Sequence, residues 1–514
     1  MKLKVKTLGL EAGGKPIIIL NKEDADDLGI KSLGRVKISS ERKEITAIVN
    51  LTTKVIPKGF VGVYDEIRNA LNLKDGAEVD VEIAKYPSSL QHIKEKLRGR
   101  KLFYEDIFEI VKDVVDGNLS ETEIASFVTS LHNFGLDLDE AVSLTIAMVE
   151  TGEKLNLDEK IICDKHSVGG IPGDKTTLLL VPIIAACDLV IPKTSSRAIT
   201  SAAGTADRAE CLMPVALDIN EVKNVIKKTN GCIVWGGTLN LAPADDKFIQ
   251  VEYSLAIDPL LLPSIMSKKK AVGATHLVID IPCGRGTKVK TIGDADLLAK
   301  DFIELGRKLG IQTRCAITHG EQPIGYTIGP ALEAREALEV IMRRKNLPDL
   351  IDKTVDIAGI LLEMTGRKNG RQLAIDILKS GIAEEKLRQI ISAQGGNMNI
   401  KPEDIEIGDY GIDICAKEAG TVLWINNSDL VEAARLAGAP KDKGAGLLLY
   451  KKIGDGVKKG EKLCTIYSEK IAKLERARRF MEECVAIGVG KRMEMLIHEV
   501  KELPVHKKTF ILER

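Results

Sequence analysis

Two stretches of this 514-residue chain bring together residue types that hold anions. The first is Asp164-Lys165-His166-Ser167-Val168-Gly169-Gly170-Ile171-Pro172-Gly173-Asp174-Lys175-Thr176-Thr177, followed by an apolar run from Leu178. Its three glycines let backbone N–H groups approach an anion, and a helix after the loop would aim its positive dipole end back at it. Lys165 and Ser167 add a charge and a hydroxyl donor. The pattern is not a P-loop, because Asp174 separates Gly173 from Lys175, and Lys165 and Ser167 precede the glycines. A plain strand-to-helix turn would leave the Lys, His and Ser at its mouth unexplained. The second stretch, Thr194 to Glu210, sets six hydroxyl residues and Arg197 among mostly small residues. Arg supplies forked donors and hydroxyls supply adaptable ones, so the loop suits phosphate or sugar oxygens. Read alone, it also fits a Ser-rich surface loop.

Three further positions are less specific. Asp258-Pro259 fits a helix N-cap followed by Pro at the first helical position. Ser264 is a lone hydroxyl on a helix. Lys288 ends Cys283-Gly284-Arg285-Gly286-Thr287-Lys288, a Gly-rich turn after an apolar strand, and ligands of α/β sheets bind at such loops. Lys268-Lys269-Lys270 reads either as a solvated helix face or as a route to an anionic substrate.

Ser195-Ser196-Arg197-Ala198-Ile199 through Gly204-Thr205-Ala206-Asp207-Arg208-Ala209-Glu210 resembles the signature of the thymidine and pyrimidine nucleoside phosphorylases. Asp164 to Gly170 is similar to the phosphate loop of the same enzymes, and the likeness continues through Leu262 to Lys269, covering residues 88 to 500 or so. Two departures point within the family. The nucleoside enzymes grip the pyrimidine with an Arg shortly before the Ser-Lys helix, and Val251-Glu252-Tyr253-Ser254-Leu255 has none. Ser196, Thr200 and Ser201 also add donors where those enzymes have more Gly and a His, enough to hold a second phosphate. With the N-terminal module, this resembles the archaeal AMP phosphorylase branch, which converts nucleoside 5′-monophosphates and inorganic phosphate into ribose 1,5-bisphosphate and free base.

The resemblance implies roles residue by residue. Lys165, Ser167 and Thr205 would hold inorganic phosphate. Gly170, Ser196, Arg197, Ala198, Ile199, Thr200, Ser201, Thr205, Ser264 and Lys288 would hold the nucleotide. Asp258 would be the proton donor to the leaving base; a purine departs better protonated at N7, and a general acid contributes roughly 10²–10⁴-fold. Asp258 must then be neutral when it acts, so it is expected to be buried. No cofactor and no metal are expected, phosphate being a co-substrate. The expected partners are AMP or another nucleoside monophosphate, with neither nucleic acid nor membrane, in a cytoplasmic homo-oligomer. A pyrimidine nucleoside phosphorylase, an anthranilate-type phosphoribosyltransferase and a non-catalytic scaffold carrying an adaptor barrel are the competing readings. The missing Arg, the lack of a recognisable pyrophosphate–metal site, and intact Lys165, Ser167, Thr205 and Asp258 weigh against them in turn.

The elements that must position these residues follow from periodicity. The chain is too long for one core, so a multidomain α/β protein is expected. Residues 1–85 alternate like strands around two short helices, Lys22–Leu28 and Tyr64–Leu71, in a pattern that appears twice and resembles a double-psi β-barrel. The module reads foremost as a folding or oligomerisation unit without chemistry of its own. From 88 to 160 the period becomes 3.6, with capping boxes at Ser120–Glu123 and Asp137–Glu140, giving a helical domain to which about 250–275 is added. Residues 161–345 alternate strands (His276–Ile281, Gln312–Ile317) with helices, predicting a parallel α/β phosphate- and nucleotide-binding domain. Residues 346–514 form a C-terminal α+β domain with a barrel-like, Gly-punctuated tail. Lys plus Arg and Asp plus Glu both total 74, so no global field favours nucleic acid or an anionic membrane. The longest apolar run, Leu178–Cys187, is about half a membrane span. Nine cysteines lie scattered without metal-ligand spacing, as reduced thiols would.

Overall fold

The computed structural model describes residues 1–40, 43–198 and 201–491; Ile199 and Thr200 of the second loop lie outside them. The first unit is a closed barrel of six strands in the order β1-β5-β2-β4-β3-β6. These are β1 (Lys2–Thr7), β2 (Ile17–Asn21), β3 (Arg35–Ser40), β4 (Lys43–Thr52), β5 (Phe60–Val63) and β6 (Glu78–Ile83), with helices α1 (Lys22–Leu28) and α2 (Asp65–Ala70). Exchanging β1, β2, β3 with β4, β5, β6 maps the pairing onto itself. The parallel pairs β1·β5 and β2·β4 interchange, as do the antiparallel pairs β1·β6 and β3·β4. The twofold pattern in the sequence is therefore a twofold pattern of hydrogen bonding. Alternate residues Leu3, Val5, Ile18, Leu20, Val79 and Val81 fill the interior.

A helical unit follows, with α3 (Ser89–Lys96), α4 (Tyr104–Val115), α5 (Glu121–Phe134) and α6 (Leu138–Glu150). Both capping boxes form. Ser120 and Glu123 open α5, and Asp137 and Glu140 open α6. The same Glu140 is buried, pairs with Lys96 Nζ at 2.7 and 2.9 Å, and accepts from Leu102 N–H. One carboxylate thus ties α3, the α3–α4 connection and α6 together.

The α/β unit contains β7 (Cys163–Ser167), α7 (Thr176–Ala185), β8 (Ile191–Ser195), α8 (Thr205–Ala209), α9 (Ile219–Thr229), β9 (Gly231–Trp235), α10 (Pro243–Leu255), α11 (Leu261–Ala271), β10 (His276–Cys283), α12 (Ile292–Leu309) and β11 (Gln312–His319). Strands β11, β10 and β7 pair in parallel, as do β8 and β9, and a parallel bridge between Ile162 and Val190 joins the two sets. The resulting order, β11-β10-β7-β8-β9, reverses direction between β7 and β10, and open α/β sheets bind ligands at the strand carboxyl ends beside such a switch. Helix α10 leaves the sheet and packs in the helical unit, where the Phe248 ring meets that of Phe127 at a tilt, centroids 5.9 Å apart.

After β12 (Thr327–Ile328) and α13 (Pro330–Ile341) come α14 (Pro348–Met364), α15 (Gly370–Ser380) and α16 (Ile382–Ala393). Leu350, Ile357, Leu361 and Ile391 share one core with α7. Every residue of α7 is buried, so it needs neighbours all round, and the sheet covers one side only. The core of the α/β unit therefore runs past residue 345, where periodicity placed the boundary. The last unit holds β13 (Tyr410–Cys415), β14 (Gly420–Ile425), α17 (Asn427–Ala437), β15 (Gly446–Leu449), β16 (Gly456–Val457), β17 (Lys462–Ser468), α18 (Ile471–Glu483) and β18 (Ile487–Gly490). Its strands form the sheets β12-β15-β17-β13 and β16-β14-β18. Among the described residues no helix is long and apolar enough to cross a membrane.

The Glu140 junction gives a stability test. Lys96→Met leaves the buried carboxylate without its cation and should cost about 3–5 kcal/mol in chemical unfolding. A loss below about 1 kcal/mol, the range of exposed pairs, would mean that water screens the junction.

Candidate functional site

The glycine loop joins β7 to α7 at the switch point. Gly169, Gly170 and Gly173 have φ of 85°, 87° and 75°, which L side chains rarely adopt. At Gly170 and Gly173 space forbids a side chain as well. A Cβ on Gly170 would lie 2.7 Å from Lys288 N, and one on Gly173 would lie 2.5 Å from Ile324 O. The loop is thus clamped between the turn after β10 and the segment before β12. Lys175 points into the core, donating to Gly173 O (2.9 Å) and Ile324 O (2.7 Å) and pairing with Glu336 (2.9 Å). It braces the loop from behind and is no phosphate lysine of the P-loop kind.

Strand alternation sends Asp164 and Lys165 to opposite faces of the sheet. Buried Lys165 Nζ lies 3.6 Å from Asp174 Oδ2 and 3.8 Å from Asp280 Oδ2. On the other face Asp164 pairs with Lys269 at 2.6 Å and lies 3.8 Å from Lys193, whose Nζ donates to Lys165 O at 2.8 Å. Burial, with Lys269 next in weight, holds the His166 imidazole well below its ordinary pKa, so it is neutral. Burial and Lys269 do the same to the Lys193 ammonium. Ser167, at the end of β7, is half-buried and accepts from Gly169 N–H at 3.4 Å.

The second loop is held by its own following helix. Asp207 accepts from Ala198 N–H (2.7 Å) and Gly204 N–H (2.8 Å). Arg197 does not offer its fork to the loop interior. Its two terminal nitrogens grip Glu210 at 2.8 and 2.6 Å, and the guanidinium covers the Trp235 ring at 4.8 Å. Lys443 of the last unit completes this cluster, 2.6 Å from Glu210. Ser196 O accepts from Ala206 N–H at 3.4 Å, Ser201 Oγ donates to Ala203 O at 3.3 Å, and Thr205 opens α8 half-buried.

Asp258 lies in the corner between α10 and α11, and its carboxylate meets Lys288 Nζ at 2.7 Å. Two expectations fail here. Asp258 is not the N-cap of α11, which is Leu260, because the helix starts later at Leu261. Nor is it buried; its side chain is 43% exposed. The buried carboxylate of the corner is Glu252 on α10, which accepts from Leu260 N–H at 2.9 Å. Burial, reinforced by Asp258, pushes Glu252 up to about 7. No sequence pattern singles it out, because Glu on an amphipathic helix ordinarily reads as solvated. The structure thus brings Gly170, Lys288 and Asp258 into one chain of contacts, and places Ser264 on the first turn of α11.

Between the ends of β7, β8 and β9 and the helices α10 and α11 lies a cleft of about 400 Å³, lined by His166, Lys193, Trp235, Gln250, Tyr253 and Lys268. Of the nominated residues Ser196 lines it, while Gly170, Asp258, Ser264 and Lys288 stand outside its lining. Lys268, ambiguous in sequence, reaches it while pairing with Asp245 at 2.5 Å. A larger crevice of about 630 Å³ between barrel and helical unit contains none of the nominated residues, and its Arg35 is already paired with Glu123.

With this geometry in place, relatives can be compared. Residues 90–152 match the helical bundle domain of a glycosyl transferase family, 159–384 its a/b domain, and 421–488 the pyrimidine nucleoside phosphorylase C-terminal domain. The AMP phosphorylase of Thermofilum pendens is 48% identical over 516 residues, covering all of both chains. That of Thermococcus kodakarensis is 49% identical, covering 93% of this chain and 95% of its own. Among solved structures, anthranilate phosphoribosyltransferase from Thermus thermophilus superposes with a TM-score of 0.51 at 19% identity, over 59% of this chain and 99% of that one, a likeness of fold. Bundle, switched sheet and matched domains define a pentosyltransferase. The chain belongs to the AMP phosphorylase family.

The raised Glu252 has a signed consequence. Between about pH 4.5 and 7 the unfolded chain ionises this carboxyl while the folded chain keeps it protonated, so its contribution to stability falls as pH rises through that window. Glu252→Gln, which can still accept from Leu260, should match the parent near pH 4 and melt at a higher temperature at pH 8. Parallel melting curves across this range would show that Glu252 does not titrate there.

Proposed function

We infer that this chain catalyses phosphorolysis of nucleoside 5′-monophosphates, AMP first, releasing the base and ribose 1,5-bisphosphate. What carries the reading is whole-length identity to AMP phosphorylases, joined to a glycine loop whose mouth meets Lys288 and, through it, Asp258. Inorganic phosphate sits at Lys165, Ser167 and Thr205, and one of its oxygens attacks C1′ as the C1′–N bond breaks. The nucleotide lies along Gly170, the Ser196–Ser201 loop, Ser264 and Lys288, with Gln250 and Tyr253 walling the base. Asp258 gives its proton to N7 of the leaving purine.

The exposed Asp258–Lys288 pair fits this course. Lys288 turns from Asp258 to the anionic substrate, which leaves the Asp258 carboxyl free to face the base. Positioning two anions and a sugar is the main task, and an oriented site removes ~7–11 kcal/mol of barrier. No cofactor enters this reading. We further read the barrel as of the double-psi type, supported by its exchange-symmetric pairing, and the protein as a cytoplasmic homo-oligomer, supported by exposed Leu97, Phe103 and Phe134 on the helical unit.

Phosphate-dependent base release from AMP, CMP, UMP, adenosine and thymidine, assayed side by side, tests the function. Two hydrogen bonds to a charged group at ~1.5–3 kcal/mol each imply that AMP exceeds adenosine in kcat/KM by about 10²-fold or more. Equal rates would return the chain to the nucleoside phosphorylases. For the proton donor, Asp258→Asn should lose AMP turnover yet bind AMP, and a nitrophenyl ribose 5-phosphate, whose leaving group needs no proton, should recover much of the rate. Turnover of AMP within a few-fold of the parent would remove Asp258 from the chemistry.

A further inference from the structure

The phosphate lysine is not alone at the base of its loop. Lys353, on the sheet-facing side of α14 among Leu350, Thr354 and Ile357, is 9% exposed and points at the same two carboxylates. Its Nζ lies 2.8 Å from Asp280 Oδ2 and 3.8 Å from Asp174 Oδ2. The remaining oxygens are engaged. Asp280 Oδ1 accepts from the Thr318 hydroxyl at 2.6 Å, and Asp174 Oδ1 accepts from Thr176 N–H at 3.2 Å. Two ammoniums and two carboxylates thus form a buried, neutral quartet. Burial works to discharge Lys353, but Asp174 and Asp280 outweigh it and hold the ammonium above its ordinary value. Asp174 is held well below its own, the lysines overcoming its burial.

The division of labour within the quartet is unequal. Lys353 takes the short contact to Asp280, while Lys165 stands 3.6 and 3.8 Å from its carboxylates, beyond hydrogen-bond distance. Among the described residues neither ammonium makes a hydrogen bond within the quartet, so Lys353 is held by the close ion pair with Asp280 while Lys165, at the longer distances, keeps its three N–H donors for a ligand. Without Lys353, a single lysine would face two buried carboxylates. It would be drawn onto them, and one net negative charge would stand directly behind the loop that must take an anion.

We propose that Lys353 is a positioning residue for the phosphate site: it neutralises Asp280 and thereby leaves the Lys165 ammonium free to bind the attacking phosphate. A leucine would pack this face of α14 equally well, and a purely structural lysine would affect folding without discriminating between substrates. The proposal rests on the assignment of the glycine loop to inorganic phosphate, so its test includes a control for that assignment.

The experiment uses the full-length enzyme and measures kcat, KM for phosphate at saturating AMP, and KM for AMP at saturating phosphate. Lys353→Met should raise KM for phosphate about tenfold and leave KM for AMP within about twofold, as expected for one uncompensated charge at a screened distance of several ångströms. Lys353→Arg should restore most of the phosphate affinity. The charge-neutral double variant Lys353→Met/Asp280→Asn should return KM for phosphate to within about threefold of the parent. If Lys353→Met does not fold, the double variant carries the test alone, and a phosphate KM still raised about tenfold in it overturns the proposal. An unchanged phosphate KM in Lys353→Met, while Lys165→Met raises it, also overturns the role of Lys353. An unchanged phosphate KM in Lys165→Met instead overturns the assignment of the loop.

Discussion

Buried charge at the carboxyl end of β7 is the constraint around which the α/β unit is arranged. The strand carries Lys165 into a region where an ammonium is costly unless a carboxylate is near. Because successive side chains alternate, Asp164 and Lys165 face different layers, and each requires its own partners. On one face α14 supplies Lys353 and β10 supplies Asp280, beside Asp174 of the loop. On the other, α11 supplies Lys269 and β8 supplies Lys193. Helices that look like mere packing are thereby required to carry particular charges at particular turns. Lys175 with Glu336 and Arg208 with Glu333 extend the same rule to α13. Deleting one member of such a set strands a charge at a cost of about 3–5 kcal/mol, so the site and the fold share these residues.

What could be read from sequence was local. Glycines at fixed spacing, capping boxes and a repeated strand–helix–strand pattern concern neighbours in the chain, and each appears where periodicity put it. The twofold barrel and the parallel sheet followed from the same short-range signals. What could not be read concerns partners far apart. Arg197 is of the right type to fork a phosphate, yet Glu210 on the next helix takes the fork, and nothing in spacing separates those outcomes. Lys353 and Glu252 look like ordinary polar residues of amphipathic helices until the sheet brings Asp280 to one and the α10–α11 corner buries the other. The boundary at residue 345 misplaced α14 to α16 because a helix apolar on all sides does not say which later helices will cover it.

The corner bearing Asp258 illustrates how such a site is kept adjustable. Glu252 holds Leu260 N–H and so delays the start of α11, which frees Asp258 from the capping role its neighbour Pro259 suggests. The freed carboxylate reaches Lys288 on the turn that also touches Gly170, so the α10–α11 corner and the glycine loop are linked through one exposed ion pair. Exposed pairs contribute about 0–1 kcal/mol, far less than the buried quartet behind the loop. The Asp258–Lys288 contact can therefore be exchanged at little cost, while the buried pairing behind the loop cannot. The barrel is attached to the helical unit through Arg35 with Glu123 and Lys15 with Glu121 on α5, a helix packed against α10, which leads into the Asp258 corner. Barrel, helical unit and the Asp258 corner thus stand on one side, the glycine loop and its buried charges on the other, joined by the weak Asp258–Lys288 pair.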